Sequence, residues 1–249
     1  MEQLLYLTTK MQIVILCGGK ATRLSGILDT TPKILAKIND VPFIDYIFDY
    51  LFQYESINKI TLLTGIGSEL ISSHIDDRYS NSSKVVEIQK DDFLGQGTSQ
   101  ALSQALNHNV LDKDFLLMFG DSLPNLDLNY FISKCFQSKS NIFFSYIDEK
   151  HVDEECRIEE IDGKIRYHSD LETRVFTSSS NFFIDYGVYY INMNKELESL
   201  LQKEDDLKNV LDKFSRLNDC LGSESVSPFI EIGNPISFTS AHDKIRKRY

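Results

Sequence analysis

Basic residues are in short supply in this chain of 249 residues. Its 26 Lys and Arg stand against 37 Asp and Glu, a formal net charge of -11. Nucleic-acid backbones and anionic membranes select basic surfaces, so neither is expected as the main partner. A small anionic ligand is not excluded, because it needs only a local cluster of cations. Cysteine is sparse too: Cys17, Cys135, Cys156 and Cys220 form no C-x-x-C pair. That argues against a thiol redox motif or a structural zinc site, and the four read as reduced thiols of a cytoplasmic protein. His108, His151, His168 and His242 are dispersed and suggest no ligand set. No window approaches the ~18 apolar residues of a membrane helix. "MEQLLYLTTK" has no cationic start before its apolar run, so it reads as an extension of residues 1–10 rather than a secretion signal. Linkers, repeats and low-complexity tracts are lacking, which points to one domain over 11–249.

What is present alternates between two periods. "QIVILCGG" (Gln12–Gly19) is a continuous apolar run ending in glycines, as in a strand covered on both faces. "FIDYIFDYLFQY" carries Ile44, Ile47, Phe48 and Leu51 at helical spacing, after Pro42 as a start signal. Further strands are expected at "KITLLTG", "KVVEIQK", "DFLLMFGDS" and "NIFFSYI", with helices at "SELISSHIDDRY", "TSQALSQALNH" and "LNYFISKCFQSK". This alternation over about the first 150 residues predicts an α/β fold with a doubly wound, mostly parallel, Rossmann-like sheet. In such sheets ligands bind beyond the carboxyl ends of the strands. After Asp148 the pattern becomes richer in β: a hairpin at "CRIEEIDGKIRYH", turning at Asp162-Gly163, then a long strand, "SNFFIDYGVYYI". A broken helix follows in "NKELESLLQKEDDLKNVLDKFSRL". "VSPFIEIGNPISF" reads as strand and turn, and "AHDKIRKRY" as a final helix. Residues 11–148 are thus the expected alternating α/β part and 149–249 a small β-rich C-terminal part.

The cations that do occur gather where the first strand ends, in "CGGKATRL" and at Lys33. Glycines there permit close backbone approach and positive φ, so successive N–H groups can face one anion. Thr22 adds a hydroxyl, Arg23 a planar fork for phosphate oxygens, and Lys20 and Lys33 more positive charge. The Walker pattern is absent, and so is the third glycine of the dinucleotide fingerprint, which argues against a Rossmann oxidoreductase. A strand-ending turn with surface cations is the plain alternative.

"ILCGGKATRL", followed by "TPKILAKIND", resembles the sugar-1-phosphate nucleotidyltransferases, whose loop reads Gly-Gly-x-Gly-Thr-Arg-Leu and is followed by Pro-Lys. "DDFLGQGTSQAL", "FGDS", "IDYGVYYI" and "FIEIGNP" match further elements of that family in order, over roughly residues 11–245. Among its members the chain is most similar to the compact bacterial heptose- and mannose-1-phosphate guanylyltransferases. The resemblance implies an enzyme that joins an NTP to a phosphate monoester and releases pyrophosphate, with Mg²⁺ as cofactor. It implies that Gly18, Gly19, Lys20 and Thr22 cradle the triphosphate and that Arg23 stabilises the leaving group. Lys33 would bridge the two reacting phosphates. Asp121 would hold the metal, with Glu231 as second ligand. Leu16, Lys90, Gly95 and Gln96 are the expected nucleobase contacts, and Asp185, Tyr186 and Gly187 the acceptor contacts.

The departures are specific. Ala21 replaces the loop's third glycine, and the C-terminal acid is Glu231 rather than Asp. The Glu-Lys pair of many sugar-specific relatives is not evident, with Glu172 and Arg174 as stand-ins only. Two alternatives therefore stay open: a cytidylyltransferase for a non-sugar phosphate, and a catalytically silent nucleotide-binding protein. The nucleobase, the acceptor and a homodimer are left open as well.

Overall fold

The computed structural model describes residues 10–19, 22–24, 26–28, 30–90, 97–151, 155–172 and 179–249. Lys20, Ala21, Gly95, Gln96, Arg174 and all but the last residue of the N-terminal extension lie outside that set. The buried run at the start forms β1 (Met11–Leu16). Strand β4 (Ile57–Thr64) flanks it in parallel on one side and β6 (Asp114–Phe119) on the other. β5 (Val85–Lys90) continues the parallel set beyond β4. Two short pairs lie off this sheet. β2 (Lys37–Ile38) meets β3 (Val41–Pro42), and β7 (Ser122–Leu123) is the second strand of the other pair, described below.

The C-terminal part does not form a separate layer. After β8 (Ile142–Ile147) come the hairpin strands β9 (Cys156–Ile161) and β10 (Lys164–Tyr167). The turn between them has φ of 51° at Asp162 and 76° at Gly163, the doubly left-handed geometry of a tight hairpin. The long strand β11 (Asn181–Asn192) then inserts between β6 and β8, antiparallel to both, while its first residues pair with β9. β12 (Leu221–Ser225) adds to the far edge of β8 in parallel. The sheet order is β10-β9-β11-β6-β1-β4-β5, with β8 and β12 on the other side of β11.

Helices cover both faces, as the unbroken apolar character of β1 demands. Met11, Ile13 and Ile15 point into one core, shared with α1 (Phe43–Phe52), α2 (Ser68–Tyr79), α4 (Leu128–Ser138) and α7 (Pro235–Arg248). Val14 and Leu16 point into the other, shared with α3 (Thr98–Asn107), α5 (Lys195–Lys203) and α6 (Leu207–Leu217). The expected break near Asp205 is real, and the Asp206 carboxylate caps α6 by accepting from the Lys208 N–H. After Asp148 the strands β9 to β12 come with α5, α6 and α7. α7 starts at Pro235, six residues before the Ala241 expected and inside the segment expected to be strand and turn. Asn234 caps it and Pro235 takes the first position, where its missing N–H costs nothing.

Candidate active site

Parallel register brings the strand ends to one rim. Leu16 lies beside both Leu63 of β4 and Phe119 of β6, so three strands terminate together. Beyond that rim lies a cavity of about 380 Å³. The segments that leave the strands line it: Leu16 to Gly19 after β1, Leu63 and Thr64 at the end of β4, and Phe119 to Asp121 after β6. Lys33 and Ile34 form one wall, and Gly97, Thr98 and Ala101 of the α3 N-terminus form another. Its walls are mostly apolar, with few polar groups, the usual make-up of a small-molecule site.

Of the two properties expected of the glycines, close approach and positive φ, the second is absent. Neither Gly18 nor Gly19 is among the positive-φ residues. A side chain at Gly18 would meet the backbone of Gly65 at 3.3 Å, so this glycine lets the turns after β1 and β4 pack together. Gly19 has open space where a Cβ would sit, which leaves its backbone accessible from the cavity. Gly97 is held differently. Its φ is 121°, and a Cβ would lie 2.0 Å from the Asp205 carbonyl oxygen. The α5–α6 connection thus grips the start of α3, and the Ser99 N–H donates to that same carbonyl at 3.1 Å.

The charged centre is a pair. Lys33 Nζ donates to Asp121 Oδ2 at 3.0 Å, and the two side chains are 22% and 33% exposed. Both can therefore still reach a ligand. Lys33 begins a short 3₁₀ turn (Lys33–Leu35) anchored by the buried Ile34. Asp121 follows Gly120, whose N–H extends the ladder to Leu16 O at 2.9 Å. Opposite it, β13 (Ile230–Glu231) pairs with β7, Glu231 against Ser122, and the Ile232 N–H donates to Asp121 O at 2.9 Å. Segments far apart in sequence are thereby joined through their backbones. The two carboxylates are hard oxygen donors. No group of three His, Cys, Asp or Glu suited to a metal occurs among the described residues. Two acids fit Mg²⁺, which keeps waters and phosphate oxygens as its other ligands, better than a cation needing an all-protein cage.

Not every expected residue gathers here. Thr22 and Arg23 lie exposed in a short 3₁₀ turn (Thr22–Leu24), held by the buried Leu24. Lys90 ends β5 at the same edge of the sheet, but its ammonium is paired with Glu69 of α2 and it does not line the cavity. Tyr186 is corrected by its surroundings. It is 1% exposed and packs on Phe229, and its hydroxyl donates to Ser227 O at 3.0 Å and accepts from the Asn125 N–H at 2.7 Å. No polar group remains there for an acceptor. Asp185 sits one layer behind the cavity wall. Its carboxylate accepts from the Tyr189 hydroxyl and the Gly187 N–H, and Tyr189 in turn meets Phe119 edge-on. Burial pushes the Asp185 carboxyl above the ordinary range, against those hydrogen bonds, which pull it down. Gly187 lies over the Phe119 ring. Cys17, unremarked in the sequence beyond its spacing, lines the cavity as a neutral thiol that burial pushes up to about 12. Its Sγ contacts Leu63 O at 3.3 Å.

A cavity at a strand rim, bordered by Lys33 and Asp121 and joined by backbone to the Glu231 segment, now stands beside known proteins. A family model described as "Nucleotidyl transferase" matches residues 12–157, more than half of the chain. The chain belongs to the nucleotidyl transferase family. Nucleotidyl transferases include a relative 26% identical over 237 residues, 95% of this chain and 99% of its own length. That protein is the D-glycero-alpha-D-manno-heptose 1-phosphate guanylyltransferase of Aneurinibacillus thermoaerophilus. A second, the probable glucose-1-phosphate cytidylyltransferase of Bacillus subtilis, is 34% identical over 141 residues, 49% of this chain and 55% of the relative. Among solved structures, a putative glucose-1-phosphate thymidylyltransferase from Bacillus anthracis superimposes with a TM-score of 0.76. It covers 95% of each chain at 16% identity and shows the shared fold. The nucleotidyl-transferase sheet is therefore the one described above. None of the described helices is long and apolar enough to cross a membrane.

Proposed function

We propose that the chain condenses GTP with a sugar 1-phosphate, giving a nucleoside diphosphate sugar and pyrophosphate with Mg²⁺ as cofactor. The observation that carries this reading is the Lys33–Asp121 pair at 3.0 Å, on the rim beside the open Gly19. The choice of guanine follows the full-length relative, a heptose 1-phosphate guanylyltransferase. Residues 11–148 would bind the nucleotide and 149–249 would complete the acceptor side.

In the reaction an oxygen of the sugar phosphate forms a bond to the α-phosphorus while the bond from that phosphorus to the β-phosphate oxygen breaks. Both reactants are anions, so positioning and charge neutralisation supply most of the acceleration. The Lys33 ammonium would move between its carboxylate partner and the oxygens of the two reacting phosphates. The backbone at Gly18 and Gly19, with Thr22, would receive the triphosphate, and Arg23 the departing pyrophosphate. Asp121 and Glu231 would hold Mg²⁺, which supplies charge neutralisation at the α-phosphate when bound. Leu16 and the Gly97 turn would border the base. Gly187 would border the acceptor, and Asp185 would serve it only by holding the Gly187 N–H in place.

The test is pyrophosphate release from purified protein with Mg²⁺, each of GTP, CTP, UTP and dTTP, and a panel of phosphate monoesters. Release with GTP and a sugar 1-phosphate is expected. Release only with CTP and a non-sugar phosphate would replace the substrate assignment. None with any pair would leave a nucleotide-binding protein without turnover.

A further inference from the structure

Outside the expected site residues, one side chain stands in an unusual position. Asn234 bonds at the same time to the start of a helix and to a carboxylate of the candidate metal site. Its Oδ1 accepts from the N–H groups of Ile236 at 2.9 Å and Ser237 at 3.0 Å. Those two donors fix the orientation of the amide, so Nδ2 is the end that faces Glu231, donating to Oε1 at 3.2 Å. The Asn234 N–H donates to Ser237 Oγ at 3.1 Å, closing a capping box. The side chain is thus locked by the helix before it meets the acid. On the other side of Glu231, a Cβ at Gly233 would lie 3.2 Å from Oε2, so the absence of a side chain there leaves room for the folded-back carboxylate.

We propose that Asn234 is a positioning residue that orients Glu231 toward a divalent cation; this rests on the reading of Glu231 as a metal ligand. The physical need comes from Glu231 itself. A glutamate has one more side-chain torsion than an aspartate, and an unrestrained torsion with three wells weakens binding about threefold when it must be frozen. The strand pairing with Ser122 and the Ile232 bond to Asp121 O place the backbone, but neither constrains that torsion. The Asn234 amide does. It donates to Oε1 and so leaves the other oxygen free for a cation, as partners behind metal ligands commonly do.

Serine caps a helix about as well as asparagine but carries no group that reaches Glu231. The test titrates Mn²⁺, followed by electron paramagnetic resonance, into the full chain saturated with inorganic pyrophosphate, a probe independent of nucleobase and acceptor. Asn234→Ser is expected to raise the Mn²⁺ Kd about three- to tenfold, with Tm held within about 2 °C because the cap survives. Glu231→Gln is expected to raise it further, and adding Asn234→Ser to Glu231→Gln should change nothing more. An unchanged Kd in Asn234→Ser would overturn the positioning role. So would an equal loss in both backgrounds, because that marks a purely structural effect. Full affinity in Glu231→Gln would instead remove Glu231 as a ligand, and with it the reading on which this inference rests.

Discussion

Asp121 and Asp185 are the same residue type on neighbouring strands, one just past the end of β6 and the other within β11, and their surroundings are opposite. Asp121 stands just past the end of β6, a third exposed, with the partly exposed Lys33 ammonium as its side-chain partner. Asp185 stands within β11, and its two oxygens are taken by Tyr189 and Gly187. A carboxylate meant for a metal or a passing phosphate must keep lone pairs free, and a partner that can leave. A carboxylate surrounded by fixed donors holds a fold together. The contrast separates the open rim of the cavity from the packing behind its wall.

Three substitutions test that contrast. Asp121→Asn removes one charge at the open site and should lower turnover by roughly 10²- to 10³-fold, with the protein still folded. Steady-state rates and circular dichroism check it, and turnover within threefold of wild type would make Asp121 a bystander. Asp185→Asn makes the identical change behind the cavity wall and should act on stability. The raised folded-state pKa means that the folded protein keeps this proton to higher pH than the unfolded chain does. The group's contribution is therefore greatest in acid and is lost as pH rises through the folded value. Urea midpoints at several pH values should show wild type losing stability relative to Asp185→Asn as pH rises above the ordinary carboxylate range. A constant difference would mean that Asp185 titrates normally. Tyr186→Phe should have the smallest effect, about 1–2 kcal/mol of stability from two hydrogen bonds lost in the core. The acceptor KM should not move, and a large rise in it would return Tyr186 to the substrate site.

The fold was legible where periodicity is strong. The apolar runs of β1, β4 and β6 and the helical spacing of Ile44, Ile47, Phe48 and Leu51 needed no further information. β12 was missed because "LGSES" is polar: it lies at a sheet edge and carries little of the core. The start of α7 was missed although Asn-Pro is a capping signal, because the apolar "PISF" was read with the strand before it. β11 was recognised as a long strand, but its place between β6 and β8 is a matter of topology that local pattern does not encode. The site divides in the same way. Lys33 and the glycines could be picked out from charge and turn chemistry. The meeting of Glu231 with the Asp121 segment depends on a two-residue pairing across the chain, and family resemblance alone pointed to it. The close packing of Gly18 against Gly65 is not visible in the sequence, because it depends on the turn after β4, and positive φ plays no part in it. Asn234 went unnoticed because its cap is local but its bond to Glu231 appears only in three dimensions.

The most direct test is single-turnover transfer of label from [α-³²P]GTP to mannose 1-phosphate or heptose 1-phosphate, in wild type, Asp121→Asn and Asp185→Asn side by side. Labelled GDP-sugar should form in wild type and in Asp185→Asn and be nearly abolished in Asp121→Asn. Equal transfer by Asp121→Asn and wild type, or no labelled GDP-sugar from wild type at all, would contradict the assignment of this rim as the site of guanylyl transfer.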